Sequence, residues 1–498
     1  MTQKDAAELE SRGVPQHEKA RPASVASPAI SSSGSRSNRR PTSARRALVV
    51  FSLVNLLSAM DRMAPNAVKE LIIHDLKLTD MESSLPSTLG LVAYLIFGQL
   101  AGYIVHRNWI DLTVFLTAAV LLWSVCTLLQ GFAQSIVQLS ILRFLVSAGE
   151  ATFPSIVFPV LTDLYSPADR PTAFALVLAA MPLGSAMGFS FGGLAGSSLG
   201  WRAALCLAGA PGIFVAALVP TVPMPKQQGC NSDSDTEGVP YVALQEEATV
   251  TSDLWTSYKT ILSNPHWATC TAAMVVANFG LISASEWLPT YIVREFRVTT
   301  EVAGSIVGIA LLLGGFFGTL AFGKLAQWWA VSMTSAYLLA PAIGELLSAP
   351  LLSASIHCSG ALHCCLWLSV ATFFVFSFQA PGTSIVMEVV PRDLRAQSIA
   401  LSTFIIRTAD IFGPITCGGL SDRTDLQTAM NLLPICNVLA ACVFFGGYLC
   451  LPSLPTIPAD DGSGRGPSFG QILYDEAEEE VEGLKRGMHL VPNYESVA

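Results

Sequence analysis

Arg143 to Gly196 reads RFLVSAGEATFPSIVFPVLTDLYSPADRPTAFALVLAAMPLGSAMGFSFGGLAG, two apolar runs joined by a short charged turn at Ser166 to Thr172. Each run is long enough to cross a bilayer, which takes about 20 predominantly apolar residues in a helix. The first run carries Arg143 and Glu150 within it. An ionisable group at that depth is costly unless it faces a protein interior or a wet cavity, so both residues are candidates for function. The second run has Gly184, Gly188, Gly192 and Gly196, a four-residue interval that puts four glycines on one helical stripe where another helix can approach closely.

The same ruler applied outward gives ten more spans. The full set lies near Ala47–Val68, Leu85–Val105, Leu112–Leu129, Val137–Leu161, Ala173–Leu194 and Ala203–Val222, and then near Trp267–Val293, Val302–Phe322, Trp329–Leu352, Leu366–Val390, Ser398–Leu420 and Met430–Leu451. The chain of 498 residues is 51% hydrophobic and only 13% charged, with mean hydropathy +0.51. That composition points to an all-α polytopic membrane protein and away from a soluble enzyme. Residues 1–46 are rich in Ser, Pro, Ala and Arg without apolar periodicity and are expected to form a disordered cytosolic tail. Residues 47–222 form one six-helix bundle, 223–263 a polar cytosolic linker, 264–452 a second six-helix bundle and 453–498 an acidic cytosolic tail. Arg36, Arg39, Arg40, Arg45 and Arg46 stand directly before the first span, which by the positive-inside rule places both termini in the cytosol.

The net charge of −9 gathers largely in the C-terminal tail, and no basic-aromatic pattern argues for nucleic acid. Most of the eleven cysteines sit in apolar runs as small buried hydrophobes. The cluster His357, Cys358, His363, Cys364, Cys365 fits no usual zinc spacing and reads as a luminal disulfide or a plain loop. Ser166-Pro-Ala-Asp-Arg between spans 4 and 5 echoes Val390-Pro-Arg-Asp-Leu between spans 10 and 11, the mark of a parallel internal repeat. Gly188-Phe-Ser190-Phe-Gly192 and Gly318 to Lys324 mimic enzyme motifs, but both lie inside apolar spans without the strand and turn that such chemistry needs.

Several motifs together resemble the major facilitator superfamily, and within it the spinster branch. They are Asn55-Leu-Leu-Ser-Ala-Met-Asp61-Arg62 in span 1 and Arg143-x-x-x-Ser147-x-Gly149-Glu150-Ala151 in span 4, with Pro182 to Gly188, Asn264-Pro265, Trp287-Leu-Pro289, Asp410-Ile-Phe-Gly413-Pro414 and Gly419-Leu-Ser-Asp422-Arg423. The loop after span 2, Gly102-Tyr-Ile-Val-His106-Arg107, departs from the superfamily pattern, with histidine in place of its aspartate. The resemblance implies twelve transmembrane helices in two six-helix bundles, with spans 1, 4, 7 and 10 around a central cavity. It also implies secondary active transport, by alternating access and coupled to protons, of an amphipathic lipid such as sphingosine phosphate or a lysophospholipid. Two alternatives stay open: a small organic-anion symporter of the anion:cation symporter branch, and a membrane sensor or scaffold that does not transport.

Counted at 1.5 Å per residue, Asp61, Arg62, Glu150 and Asp410 reach about mid-membrane depth, with Arg143 further out. Asp61 and Glu150 are the expected proton-coupling pair, because a half-desolvated carboxylate near a cation can be tuned to titrate usefully. Arg62 is not the natural partner of Asp61, since adjacent residues point apart on a helix, and an arginine from span 4 is the better one. Arg62 and Arg143 either grip an anionic headgroup in bidentate fashion or neutralise Glu150 and Asp61. Asn55, Glu286, Trp287, Arg407 and Asp410 complete the expected substrate site. Glu345, in a peripheral span, is left out. The glycine stripe of span 5 is expected to face span 8 across the two halves, where Gly304 with Gly308 and Gly314 with Gly318 keep the same interval. No cofactor or metal is expected. The expected partners are membrane lipids, protons and a small-molecule or lysolipid substrate, for a monomer in an endolysosomal or plasma membrane.

Overall fold

A computed structural model describes residues 42–107, 109–165, 170–222, 224, 254–332, 336–391 and 394–451. The acidic tail, most of the N-terminal tail, most of the linker and the turn at 166–169 lie outside the described residues. Every regular element among those described is helical. Eleven segments are long and apolar enough to cross a bilayer. One of them holds two crossings: helix Arg170–Leu218 breaks at Gly200, with φ +83°, so the count is twelve. Glycine enters that region without the Cβ clash that other residues meet. Span 5 runs alongside span 1 and span 6 alongside span 3, with the reversal at this one residue.

Several boundaries differ from the sequence reading. The first helix starts at Thr42, so Arg45 and Arg46 lie on its opening turns and not in the tail. Residues 254–262, read as linker, form a helix, Leu254–Leu262. The helix of span 8 runs on through Trp329 to Ser332 and span 9 begins only at Ala336, because the run Gln327-Trp-Trp-Ala-Val has no residue that would stop a helix.

Each half has its own apolar core. Phe51, Trp123, Ile156 and Leu161 pack spans 1, 3 and 4 together, and Trp267, Met274, Phe378 and Phe444 do the same for spans 7, 10 and 12. Large apolar side chains such as Val114, Phe214, Leu366 and Leu449 stay uncovered on the outside, where hydrocarbon rather than protein is their solvent. Cys358, Cys364 and Cys365 are free thiols, and only His357 and Cys358 lie in a loop, since His363, Cys364 and Cys365 stand on the opening turns of helix Ala361–Val375; neither the disulfide nor the plain loop describes the whole cluster.

The glycine stripe does not face span 8. A Cβ on Gly184, Gly188 or Gly192 would stand 2.2, 2.5 or 2.9 Å from the carbonyl oxygens of Leu56, Met60 and Ala64, so the stripe seats span 5 on span 1 inside one bundle. The contact with span 8 uses the neighbouring face, where Gly193 meets Thr300, and Gly304 meets the backbone of Phe189. Gly314 and Gly318 likewise pack on span 10 within their own half. The four-residue interval identified close packing but not the partner. Gly188→Val is therefore expected to destabilise the N-terminal bundle by about 1–3 kcal/mol or more through overpacking. A drop in folded yield and melting midpoint on size-exclusion chromatography would register it; wild-type behaviour would contradict this packing.

Candidate functional site

Pro65 in span 1 has no N–H to give to the carbonyl of Asp61 four residues back. Arg143 of span 4 takes up that oxygen: its Nη1 donates to the Asp61 carbonyl at 3.3 Å and its Nη2 to the Arg62 carbonyl at 3.0 Å. The arginine thus holds backbone at the proline kink and not, as the sequence suggested, the Asp61 carboxylate. Pro154 plays the matching part in span 4, which breaks after Glu150 and resumes at Phe153. Glu150 accepts from Arg62, 3.3 Å from Nε and 3.1 Å from Nη2. The Arg62 guanidinium also lies 5.4 Å from the ring centroid of Tyr94 in span 2, a cation–π contact.

Asp61, Arg62, Arg143 and Glu150 therefore form one cluster joining spans 1 and 4, with Tyr94 of span 2 added. Asp61 is completely buried, and neither of its carboxylate oxygens has a hydrogen-bond partner among the described residues. One oxygen of Glu150 is likewise unpartnered. The Arg62 side chain keeps 30% of its surface while that of Glu150 keeps 1%, so the pair is reached from the arginine side. An ionised carboxylate is expensive to bury without a partner, so Asp61 at this place in span 1 stands out as a candidate for function.

Glu286 and Trp287 belong to a second assembly. Glu286 accepts from Lys69 at 2.6 Å and from the Ser87 hydroxyl at 2.8 Å. Lys69 in turn stands 3.5 Å over the Trp287 ring, whose indole N–H donates to the Pro414 carbonyl. Asn66 donates to the Ser285 carbonyl at 3.1 Å, an oxygen left free because Pro289 stands four residues on. A further layer follows outward. Arg294 grips Asp80 with two bonds of 2.8 Å and reaches Glu70 at 2.7 Å, while Asp422 accepts from the backbone N–H groups of Asp80 and Met81. These contacts join spans 1 and 2 to spans 7 and 11 at the end of the molecule remote from Thr42, and they latch the two halves there. Lys69, one residue past the expected end of span 1, is 4% exposed. Trp287 and Glu286 thus hold the latch in this state.

Arg407 and Asp410 pair within span 11 at 3.1 Å, Asp410 standing four residues before Pro414. Asn55 donates to the Val177 carbonyl at 2.7 Å and ties span 1 to span 5. Sequence reasoning missed Tyr94, Lys69, Ser87, Asp80 and Arg294. One signal was available: Asp61, Glu150 and Asp410 each precede a proline by four residues, so the backbone oxygen of each acid lacks its usual helical donor.

A family model described as Major Facilitator Superfamily matches residues 51–414. The chain belongs to the Major Facilitator Superfamily. It is a multi-pass membrane transporter and not an enzyme, and the twelve-helix architecture agrees. Over 423 residues, 82% of the chain and 92% of the relative, it is 26% identical to an MFS-type efflux pump of Mycolicibacterium smegmatis. Over 393 residues it is 24% identical to the sphingosine-1-phosphate transporter SPNS2 of Mus musculus, a match covering 75% of the chain and 69% of the relative. Against animal proteins named spinster the match spans about half to three fifths of the relative's length. A bacterial homologue of the human lysosomal transporter spinster, solved in an inward-facing, unoccupied conformation, superposes with a TM-score of 0.69 at 18% identity, covering 83% of this chain and 98% of that one. The spinster resemblance read from the motifs thus has named relatives behind it.

Proposed function

We propose that this superfamily member is a proton-coupled secondary transporter of an anionic amphipathic lipid, with sphingosine phosphate or a lysophospholipid as the substrate class, working by alternating access. The observation that carries the reading is the cluster at the kink: a buried, unpartnered Asp61 beside the Arg62–Glu150 pair. While Glu150 is ionised it occupies Arg62. Once protonated it releases the guanidinium, which then has donors for a phosphate or carboxylate headgroup. Proton and substrate thereby act on the same arginine from opposite sides, a coupling that links the two fluxes. Asp61, with no cation bonded to its carboxylate, is the store from which the proton is passed.

Arg143 fixes the carbonyls at the kink, and so sets where Arg62 and Asp61 point. Asn55, Arg407 and Asp410 complete the substrate region, and Glu286 and Trp287 enter it when the latch opens. With both termini cytosolic, by the arginine bias before span 1, the latched end faces the lumen or the outside. The two six-span halves are then the two moving bodies, and the linker and both tails are cytosolic. The name of the mouse relative supports a lipid, a small organic anion stays the rival, and an endolysosomal or plasma membrane suits either.

Purified protein in liposomes tests the proposal. Lysophospholipid and sphingosine phosphate uptake are expected to rise with an imposed pH gradient, while small carboxylates compete weakly. Uptake confined to small carboxylates would overturn the lipid reading, and a protein that binds substrate but moves none would overturn transport.

A further inference from the structure

Arg62, Arg143 and Arg407 lie deep within the spans, and only two of them keep free surface. Arg143 is 6% exposed and gives its terminal nitrogens to the carbonyls at the Pro65 kink. Arg62 in the first half and Arg407 in the second keep 30% and 38% of their side-chain surface. Each is paired with an acid that keeps 1%, Glu150 and Asp410, and each acid has one oxygen without a partner among the described residues. The two pairs also lie at one level. On span 11, Arg407 shares a helical stripe with Pro414 and Gly418. Both of these pack on Ser84 at the head of span 2, the Pro414 carbonyl accepting from its hydroxyl at 3.0 Å. The stripe therefore turns Arg407 toward span 2, about 10 Å from that contact by the helical rise and away from the latched end. Arg62 lies over Tyr94, which the same rise puts about 15 Å from Ser84 along span 2. A guanidinium is costly against hydrocarbon, so the uncovered surface of both arginines faces the gap between the halves on the unlatched side.

We propose that Arg407 is the second grip on the headgroup, so that a phosphomonoester dianion is held between Arg62 of one half and Arg407 of the other, in preference to singly charged anions. The inference rests on the transport reading and narrows its substrate class. Arg62, Arg143 and Arg407 are matched by Asp61, Glu150 and Asp410, so the cluster as it stands is neutral. Tyr94 adds only the face of its ring to Arg62, and Arg407 and Asp410 bond no other charged group among the described residues. Protons on Glu150 and Asp410 release both guanidinium groups and leave two positive charges to be met. A terminal phosphate supplies two negative charges and three oxygens to divide between two forks. A phosphodiester or a carboxylate carries one charge and leaves the second arginine unmatched. Because the arginines belong to different halves, the ligand also favours the state in which both reach it.

The test measures binding to the full chain in lipid nanodiscs at about pH 7, where a phosphomonoester is largely dianionic. Lysophosphatidic acid and glycerol phosphate serve as phosphomonoesters, lysophosphatidylglycerol and glycerate as their singly charged counterparts. Within a size class the phosphomonoester is expected to bind at least about tenfold tighter, the value of one further hydrogen bond to a charged group. Arg407→Gln should bring that ratio close to one. Since this variant strands the buried Asp410, Arg407→Gln with Asp410→Asn is measured beside it and should lose the preference in the same way. Wild-type protein that does not prefer the phosphomonoester, or a double variant that keeps the preference in full, overturns the double grip. The size of the favoured probe reads the lipid proposal separately. Glycerol phosphate bound ahead of lysophosphatidic acid would overturn the lipid and keep the grip, whereas lysolipids bound without regard to charge would do the reverse.

Discussion

Asp61→Asn protein in liposomes is expected to lose uptake driven by an imposed pH gradient while it still exchanges substrate down a substrate gradient. The substitution keeps the shape of the side chain and removes its proton. A gradient of one pH unit supplies about 1.4 kcal/mol per coupled proton, so losing the coupling removes about a tenfold accumulation per unit. The fold should tolerate the change, because the carboxylate of Asp61 makes no hydrogen bond whose loss would cost stability. Glu150→Gln differs in an instructive way. Glu150 is bonded to Arg62, so its neutralisation mimics the proton-loaded state, and substrate affinity should become insensitive to pH and stay high. Unimpaired accumulation by Asp61→Asn under a pH gradient would remove the proton from this cluster, and a pH-dependent affinity persisting in Glu150→Gln would remove the competition for Arg62.

Much of this arrangement was legible in the sequence. Twelve apolar segments of bilayer length fix an all-helical fold, since backbone in hydrocarbon must satisfy its own hydrogen bonds. The acids and arginines inside spans 1 and 4 stood out because of their cost at that depth. What the sequence concealed was pairing. Helical periodicity says which residues share a face but not which helix that face meets, so the glycines of span 5 were matched to span 8 when they rest on span 1. Partners drawn from different spans were open for the same reason: Arg143 reaches two backbone oxygens at the Pro65 kink instead of a carboxylate. Lys69 stands one residue past the expected end of an apolar run, where a loop and a buried turn of helix look alike. Only the opposing Glu286, 217 residues further along, turns it into a latch.

Lys69→Met tests whether that latch governs the conformational equilibrium. The substitution keeps the apolar stem over Trp287 but leaves the charge of Glu286 buried with the Ser87 hydroxyl as its remaining partner. Removing one member of a buried ion pair costs about 3–5 kcal/mol. A rocking protein has a way to avoid that cost, because opening the latched end returns Glu286 to water. The open population is therefore expected to grow by a factor of about 10² to 5 × 10³, on the usual correspondence of 1.36 kcal/mol per tenfold. Pulsed-EPR distances between spin labels at Lys77 and Glu295, exposed positions on opposite halves, would report it as a longer distance in a background free of reactive cysteines. The outer layer, Arg294 with Asp80 and Glu70, resists the opening in both proteins, its bidentate Asp80 arm only 10% exposed, so the ratio between variant and wild type is set by the inner pair. Adding Glu286→Gln to Lys69→Met removes the stranded charge and should close the end again. Distances that stay short in the single variant, or that stay long in the double one, would show that packing between spans 5 and 8, and not this ion pair, sets the resting state.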